Sequence, residues 1–190
     1  MSELSGVPRN IVLIGFMGCG KSTVGRELRR MLGYPLVDTD SVIEARAGKR
    51  ITRIFEEDGE RAFRDMETEL LRELAADRAN PRIVATGGGI VVRPENRDLI
   101  SSLGYVVWLR VPVETILRRT RRSRARPLLN TGDAASRVRM LLSEREPWYR
   151  QCAHLPIETA GLESDEVATG ILESARFFFS TNDQPPCAPM

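Results

Sequence analysis

Gly15-Phe16-Met17-Gly18-Cys19-Gly20-Lys21-Ser22 has the spacing G-x-x-x-x-G-K-[ST], and its flanks decide how it folds. Upstream, Ile11-Val12-Leu13-Ile14 is a short apolar run of the kind that forms a buried strand. Downstream, between Thr23 and Leu32, Val24, Leu28, Met31 and Leu32 recur at helical spacing. A strand, a glycine turn and a helix N-terminus together make an anion-binding nest. The glycines let backbone N–H groups curl around phosphate oxygens, and the helix dipole adds partial positive charge. In such a loop the lysine, here Lys21, reaches the β- and γ-phosphates, and the hydroxyl, here Ser22, ligates Mg²⁺. The lysine is not background, because Lys21 and Lys49 are the only two among 28 basic residues. The stretch points to a nucleoside triphosphate held by Gly18, Cys19, Gly20, Lys21, Ser22 and Thr23.

With 190 residues, 42% of them hydrophobic, the chain suits one globular domain with a sizeable core. Its net charge of +2, from 28 basic and 26 acidic residues, makes no demand for nucleic acid or a membrane surface. Cys19, Cys152 and Cys187 are widely spaced and odd in number; they match neither a zinc site nor a disulfide framework and suit a reducing compartment. No apolar run approaches the ~20 residues needed to span a bilayer. The segment from Ile11 to Gly20 runs straight into Lys21 and Ser22 and has almost no positive residues before it, unlike a secretory signal. A cytoplasmic protein is expected and, with no apolar surface stripe asking for a partner, a monomer.

The order of elements follows from periodicity and breakers. Residues 1–9 read as a loose leader, and residues 10–179 as a single domain. After the first strand and helix, Gly33 stops the helix, and Pro35-Leu36-Val37 reads as a second strand ending at Asp38-Thr39-Asp40. From Ser41 to Ala76 the pattern is helical, broken at Gly48 and near Gly59, with Phe63, Met66, Leu70, Leu71 and Leu74 as a core-facing stripe. Arg82 to Ala85 is a third strand leading into Thr86-Gly87-Gly88-Gly89. A helix is expected to begin after Pro94 and end before Gly104, Tyr105 to Leu109 is a fourth strand, and Pro112 opens another helix. Residues 118–132 are polar and arginine-laden. Further helices are expected over 133–142 and 165–179 with a last strand at 154–158, and residues 180–190 read as a disordered tail. Strands alternating with helices imply parallel βαβ units, and so a sheet covered on both faces whose ligands bind at the carboxyl ends of the strands.

Three further stretches fall at such ends or near them. Asp38 and Asp40 follow the second strand. A phosphoryl-transfer site needs a carboxylate near Mg²⁺ and an acceptor for the proton of the attacking hydroxyl, and the pair could divide those tasks; the competing reading is a pair of helix N-caps. The triple glycine lets backbone approach a ligand closely, or is merely a flexible turn. The six arginines at 118, 119, 121, 122, 124 and 126 lack the aromatic interleaving of a nucleic-acid surface. A mobile lid carrying charge to a transferring phosphate is the other reading. Arg64, Arg145 and His154 are unremarkable by local sequence alone.

Together these elements resemble the shikimate kinase family over about residues 10 to 176. The resemblance rests on the phosphate loop, Asp38-Thr39-Asp40, Ile54-Phe55-x4-Gly59-Glu60-x2-Phe63-Arg64-x2-Glu67, Gly87-Gly88-Gly89, Arg126-Pro127-Leu128-Leu129 and Arg145-x-Pro147-x-Tyr149. It implies a three-layer α/β P-loop kinase fold, with a short parallel sheet of about five strands, and ATP-dependent phosphorylation of the 3-hydroxyl of shikimate. It further implies that Asp40, Arg64, Gly87, Gly88, Gly89 and Arg145 bind shikimate, the two arginines clamping its carboxylate and Asp40 meeting the hydroxyl. Ser22 would ligate Mg²⁺ with Asp38 supporting through water, Arg126 would contact the ATP phosphates, and Arg119 would lie against adenine. A planar carboxylate is what a guanidinium fork matches best, which gives Arg64 and Arg145 a purpose. The lid is richer in arginine than the family pattern, and Trp148 stands where an aliphatic residue is common. Gluconate kinase, a regulatory GTPase and a nucleic-acid-directed ATPase are the alternatives. The first lacks the Phe63-Arg64, triple-glycine and Arg145-x-Pro-x-Tyr elements, the second needs an Asn-Lys pair that is absent, and the third rests on the arginine run alone.

Overall fold

The structure, a computed structural model, describes residues 10–77, 79–120 and 134–182. Its centre is β1 (Asn10–Ile14), every residue of which is buried. β3 (Arg82–Ala85) and β4 (Tyr105–Arg110) flank it, β2 (Leu36–Asp38) lies outside β3, and β5 (Leu155–Glu158) lies outside β4. The order is β2-β3-β1-β4-β5 and all four pairings are parallel. The expected five-stranded parallel sheet is therefore the one found.

Alternation along the central strands explains the two covered faces. Val12, Ile14, Val84, Val106 and Trp108 point to one face, where they meet Ile43 of α2 (Thr39–Ala47), Ile54 of α3 (Ile51–Glu57), Leu71 of α4 (Gly59–Ala76), Ile100 of α5 (Pro94–Leu103) and Tyr149 of α7 (Ala134–Cys152). Ile11, Leu13, Ile83, Val107 and Leu109 point to the other, against Val24 and Leu28 of α1 (Lys21–Leu32) and Val167 and Ile171 of α8 (Ser164–Asn182). A smaller cluster of Phe16, Ile116 and Val138 ties α6 (Val113–Thr120) to α7 beside the phosphate loop.

Local chemistry sets the boundaries. Gly33 adopts φ 71° and donates its amide to Arg29, closing α1. Pro94 occupies the first turn of α5, where its missing N–H costs nothing. Within the stretch from Ser41 to Ala76, the breaks at Gly48 and Gly59 produce three helices, as the sequence indicates. His154 accepts the Val106 N–H on Nδ1 at 3.0 Å, which fixes a neutral imidazole at the edge of β4, and burial lowers its pKa.

Three expectations are corrected. The helix expected over 133–142 continues to Cys152 as α7. Val138, Leu142, Arg145, Tyr149 and Cys152 lie on one helical stripe, and the burial of Val138, Tyr149 and Cys152 outweighs the single intrahelical bond that Pro147 cannot donate. The closing helix reaches Asn182, so the tail does not begin at 180. The second strand stops at Asp38, and Thr39 and Asp40 already belong to α2. Of the lid at 118–132, the first residues form the last turn of α6, while 121–133, including Arg126, lie outside the described residues, as do 1–9 and 183–190. Among the described residues, no helix is long and apolar enough to cross a membrane.

Candidate active site

All the candidate residues that the structure describes line one cleft of about 950 Å³ at the carboxyl ends of β1, β2 and β3. A shallower depression of about 450 Å³ runs along α7 between Ser143, Glu146, Pro147, Arg150 and Gln151, and it holds none of them.

At one end of the cleft the chain leaves β1 through glycines that no other residue could replace without strain. Gly15, Gly18 and Gly20 have φ of 135°, 81° and 104°. A Cβ on Gly15 would stand 2.5 Å from the Leu109 carbonyl oxygen. Among the described residues no side chain caps α1, and its first turn carries no acid, so the N-terminal N–H groups and the dipole face the cleft. Lys21 Nζ is buried and donates to the carbonyls of Gly15 at 2.8 Å and Phe16 at 2.9 Å, and lies 3.6 Å from Cys19 Sγ. The Cys19 side chain packs into the core with Val24 and Leu28, so this residue offers a ligand its backbone. Arg119 Nη1 donates to the Gly18 carbonyl at 3.0 Å, which brings the end of α6 over the phosphate loop.

Ser22 Oγ donates to Asp38 Oδ2 at 2.8 Å, so a hydroxyl and a carboxylate from α1 and β2 meet at the phosphate-loop side of the cleft. These are hard oxygen donors and suit Mg²⁺, which takes one or two protein oxygens and completes its shell with phosphate and water. Among the described residues no cluster of three or more His, Cys, Asp or Glu could form an all-protein cage. Asp38 Oδ1 accepts the Ser41 N–H at 3.2 Å and caps α2. The N-cap reading is thus correct for Asp38, whose other oxygen remains on Ser22, whereas Asp40 sits inside the first turn.

At the other end of the cleft the three successive glycines are small for three different reasons. A Cβ on Gly87 would stand 2.5 Å from Asp40 Oδ1 and 3.1 Å from Glu67 Oε1; on Gly88, 2.9 Å from the Met17 nitrogen; on Gly89, 2.7 Å from Arg64 Nη1. Two carboxylates, the phosphate loop and a guanidinium are each packed against backbone. Arg64 and Arg145 flank consecutive glycines, since Arg145 Nη1 donates to the Gly88 carbonyl at 3.3 Å. Both are buried. Arg64 lies over the rings of Phe55 and Phe63, and Arg145 over Phe16.

Three residues in this region had no role assigned from sequence. Glu67 is buried beside Arg64 and accepts from its Nη1 at 2.8 Å, while Glu60 accepts from Nη2 at 2.9 Å. Burial pushes the Glu67 carboxyl up to about 7; Arg64 opposes that shift and Asp40 adds to it. Thr39 Oγ1 accepts the Gly87 N–H at 2.9 Å and so suspends the glycine loop from α2. Tyr149 donates its hydroxyl to the Gly88 carbonyl at 2.5 Å. The spacing Arg64-x2-Glu67 on one helix is the available signal for the first; Thr39 and Tyr149 stand in the Asp38-Thr39-Asp40 and Arg145-x-Pro147-x-Tyr149 stretches of the family resemblance, but their neighbours give no sign of what they touch.

A sequence model of the family "Shikimate kinase" matches residues 17–176. The chain belongs to the shikimate kinase family. It is 46% identical over 167 residues to the shikimate kinase of Halorhodospira halophila, covering 88% of this chain and 93% of that one. The solved shikimate kinase of Acinetobacter baumannii, a complex with shikimate, superposes with a TM-score of 0.86 at 40% identity, covering 95% of this chain and 98% of that chain. A gluconokinase from Sinorhizobium meliloti shares the fold at 18% identity, with a TM-score of 0.54 over 91% of this chain and 94% of its own.

Proposed function

We propose that this member of the shikimate kinase family transfers the γ-phosphoryl group of ATP to the 3-hydroxyl of shikimate, giving shikimate 3-phosphate and ADP. One observation carries the reading. A single cleft has a phosphate loop at one end and, at the other, two buried guanidiniums flanking a triple glycine with a carboxylate beside it. An NTP site alone explains the first half. The second half suits a small, rigid carboxylate with a hydroxyl to be phosphorylated, and the likeness to the A. baumannii enzyme supports shikimate as that acceptor.

Residue by residue, backbone from Gly18 to Thr23 cradles the phosphates, and Lys21 supplies charge where it develops on the transferring group. Arg64 and Arg145 grip the substrate carboxylate by bidentate hydrogen bonds, each already oriented by its protein partners. The backbone of Gly87, Gly88 and Gly89 would lie along the cyclohexene ring of the substrate. Asp40 orients the attacking hydroxyl and takes its proton as the oxygen bonds to phosphorus and the bond to the ADP oxygen breaks. Ser22 would hold Mg²⁺ directly and Asp38 through water; the ion, when bound with ATP, neutralises phosphate charge. Arg119 would lie against adenine and Arg126 would contact the ATP phosphates, as the family resemblance implies. The protein acts as a cytoplasmic monomer with ATP and shikimate as its partners, and neither nucleic acid nor membrane enters.

A coupled assay of ADP release, run with shikimate, gluconate, RNA and no acceptor, tests the reading. Stimulation by shikimate alone is expected. Release driven by gluconate or RNA, with shikimate inert, overturns it.

A further inference from the structure

We infer that Tyr149 is a positioning residue that sets the acceptor loop in register with the phosphate loop, acting through the Gly88 peptide; this rests on the function proposed above. Gly88 is where the two halves of the cleft touch. A Cβ there would stand 2.9 Å from the Met17 nitrogen and 3.5 Å from the Gly15 carbonyl oxygen, so its α-carbon lies directly on the phosphate-loop backbone. The height of the glycine loop above the phosphates is set at this point of contact.

What holds Gly88 in place comes from α7. The Tyr149 hydroxyl and Arg145 Nη1 both donate to the Gly88 carbonyl, at 2.5 Å and 3.3 Å. Because the peptide unit is planar, fixing that carbonyl also fixes the direction of the Gly89 N–H. Arg145 is free to exchange this long bond for a ligand carboxylate, since its guanidinium has five donors. Tyr149 is not: it is fully buried, lies outside the cleft lining, and has one hydroxyl proton to give. Its ring stacks on Trp108 of β4, centroids 5.7 Å apart, so the central sheet fixes the position of the phenol oxygen.

A ring that served only as core filler would need no hydroxyl, because burying one unpaired is unfavourable. Here the hydroxyl is spent on a loop that lines the cleft. Burial also pushes its pKa up, so the phenol stays a proton donor at every working pH. Tyr105 is the natural contrast. It is also buried and its hydroxyl is also paired, with Ser174 Oγ at 2.7 Å, but on the opposite face of the sheet and away from the cleft.

Tyr149→Phe keeps the ring and removes only the bond to Gly88. With saturating ATP and shikimate, kcat should fall about 10-fold while both KM values stay within about 3-fold, the signature of misplaced reactants with binding retained. Tyr105→Phe is the control for loss of a buried hydroxyl: it should lower Tm and leave kcat unchanged. A Tyr149→Phe enzyme with wild-type kcat, or one whose kcat falls no more than that of Tyr105→Phe, overturns the inference. A second measurement needs neither a variant nor turnover. In wild-type protein labelled at tyrosine Cζ, ADP with Mg²⁺ and no acceptor should move the Tyr149 signal and leave those of Tyr34 and Tyr105 in place. A stationary Tyr149 signal refutes the register through Gly88. Should the wild type fail to phosphorylate shikimate, the proposed function falls, while the labelling result still decides this point.

Discussion

The two ends of the cleft are built in opposite ways. The phosphate end is built on one unbroken stretch, Asn10 to Thr23, in which a strand, a turn and a helix start follow one another and Lys21 donates to carbonyls only five and six residues before it. The acceptor end is assembled from segments far apart in the chain: Asp40 from α2, Arg64 and Glu67 from α4, Gly87 to Gly89 after β3, and Arg145 and Tyr149 from α7. A phosphate group can be held by backbone and dipole, which any sequence with glycines in the right places supplies. A particular carboxylate and hydroxyl need side chains converging from several directions, which only packing can deliver. The two ends should therefore fail differently when altered.

The largest effect is expected at Asp40. Asp40→Asn preserves shape but loses the proton acceptor, and turnover should fall by about 10²–10⁴ with ATP binding little changed. Asp38→Asn belongs to the phosphate end and should be partly restored by raising Mg²⁺. Turnover titrated against Mg²⁺ for both variants checks the division, and rescue of Asp40→Asn in place of Asp38→Asn would exchange the two roles. Next comes Lys21→Ala, which should slow turnover by roughly 10²–10³ through lost stabilisation of developing charge. An acceptor-side readout sharpens the contrast, since shikimate affinity measured without nucleotide should not change. A variant with near wild-type turnover would remove the phosphate loop from the chemistry.

Glu67 offers a test that depends on pH. Its folded-state pKa of about 7 lies above the ordinary 4.5, so the fold favours the neutral carboxyl. That stability is fully present below pH 4.5 and is lost as pH rises through about 7, amounting to about 3 kcal/mol. Urea midpoints at pH 4.5 and pH 8 should therefore fall further in the wild type than in Glu67→Gln. Identical pH dependence in the two proteins would show that Glu67 ionises normally. The smallest effect is expected for Arg145→Lys, which keeps the charge and loses the planar fork. Shikimate binding should weaken by about 1–3 kcal/mol with ATP affinity unchanged. Calorimetry with each ligand separately decides it, and equal losses for both would make Arg145 structural.

Legibility in the sequence follows the same divide. The strands, the glycine breaks, the phosphate loop and the Asp38 cap were readable because each depends on neighbours a few residues away. The sequence pattern shows α7 only as far as Leu142, because Arg145 interrupts the apolar stripe and Pro147 is an ordinary helix breaker, whereas the helix continues through Tyr149 to Cys152. The polar residue that interrupts the stripe is the one that lines the cleft. By local sequence Asp38 and Asp40 are equally good caps, and the start of α2 at Thr39 separates them.

By itself, then, the sequence determined an α/β chain with a nucleotide loop, because a backbone nest and a hydrophobic period are local properties. The family resemblance added which distant arginines are proposed to meet the substrate. Only the tertiary structure decided what those residues touch: that Glu67 and Glu60 hold Arg64, that Thr39 suspends Gly87, and that Gly88 lies between the phosphate loop and Tyr149. The reason is physical. A parallel sheet brings its strand ends together regardless of their separation along the chain, and a contact 61 residues apart, such as that of Tyr149 with Gly88, leaves no mark on the residues beside either partner.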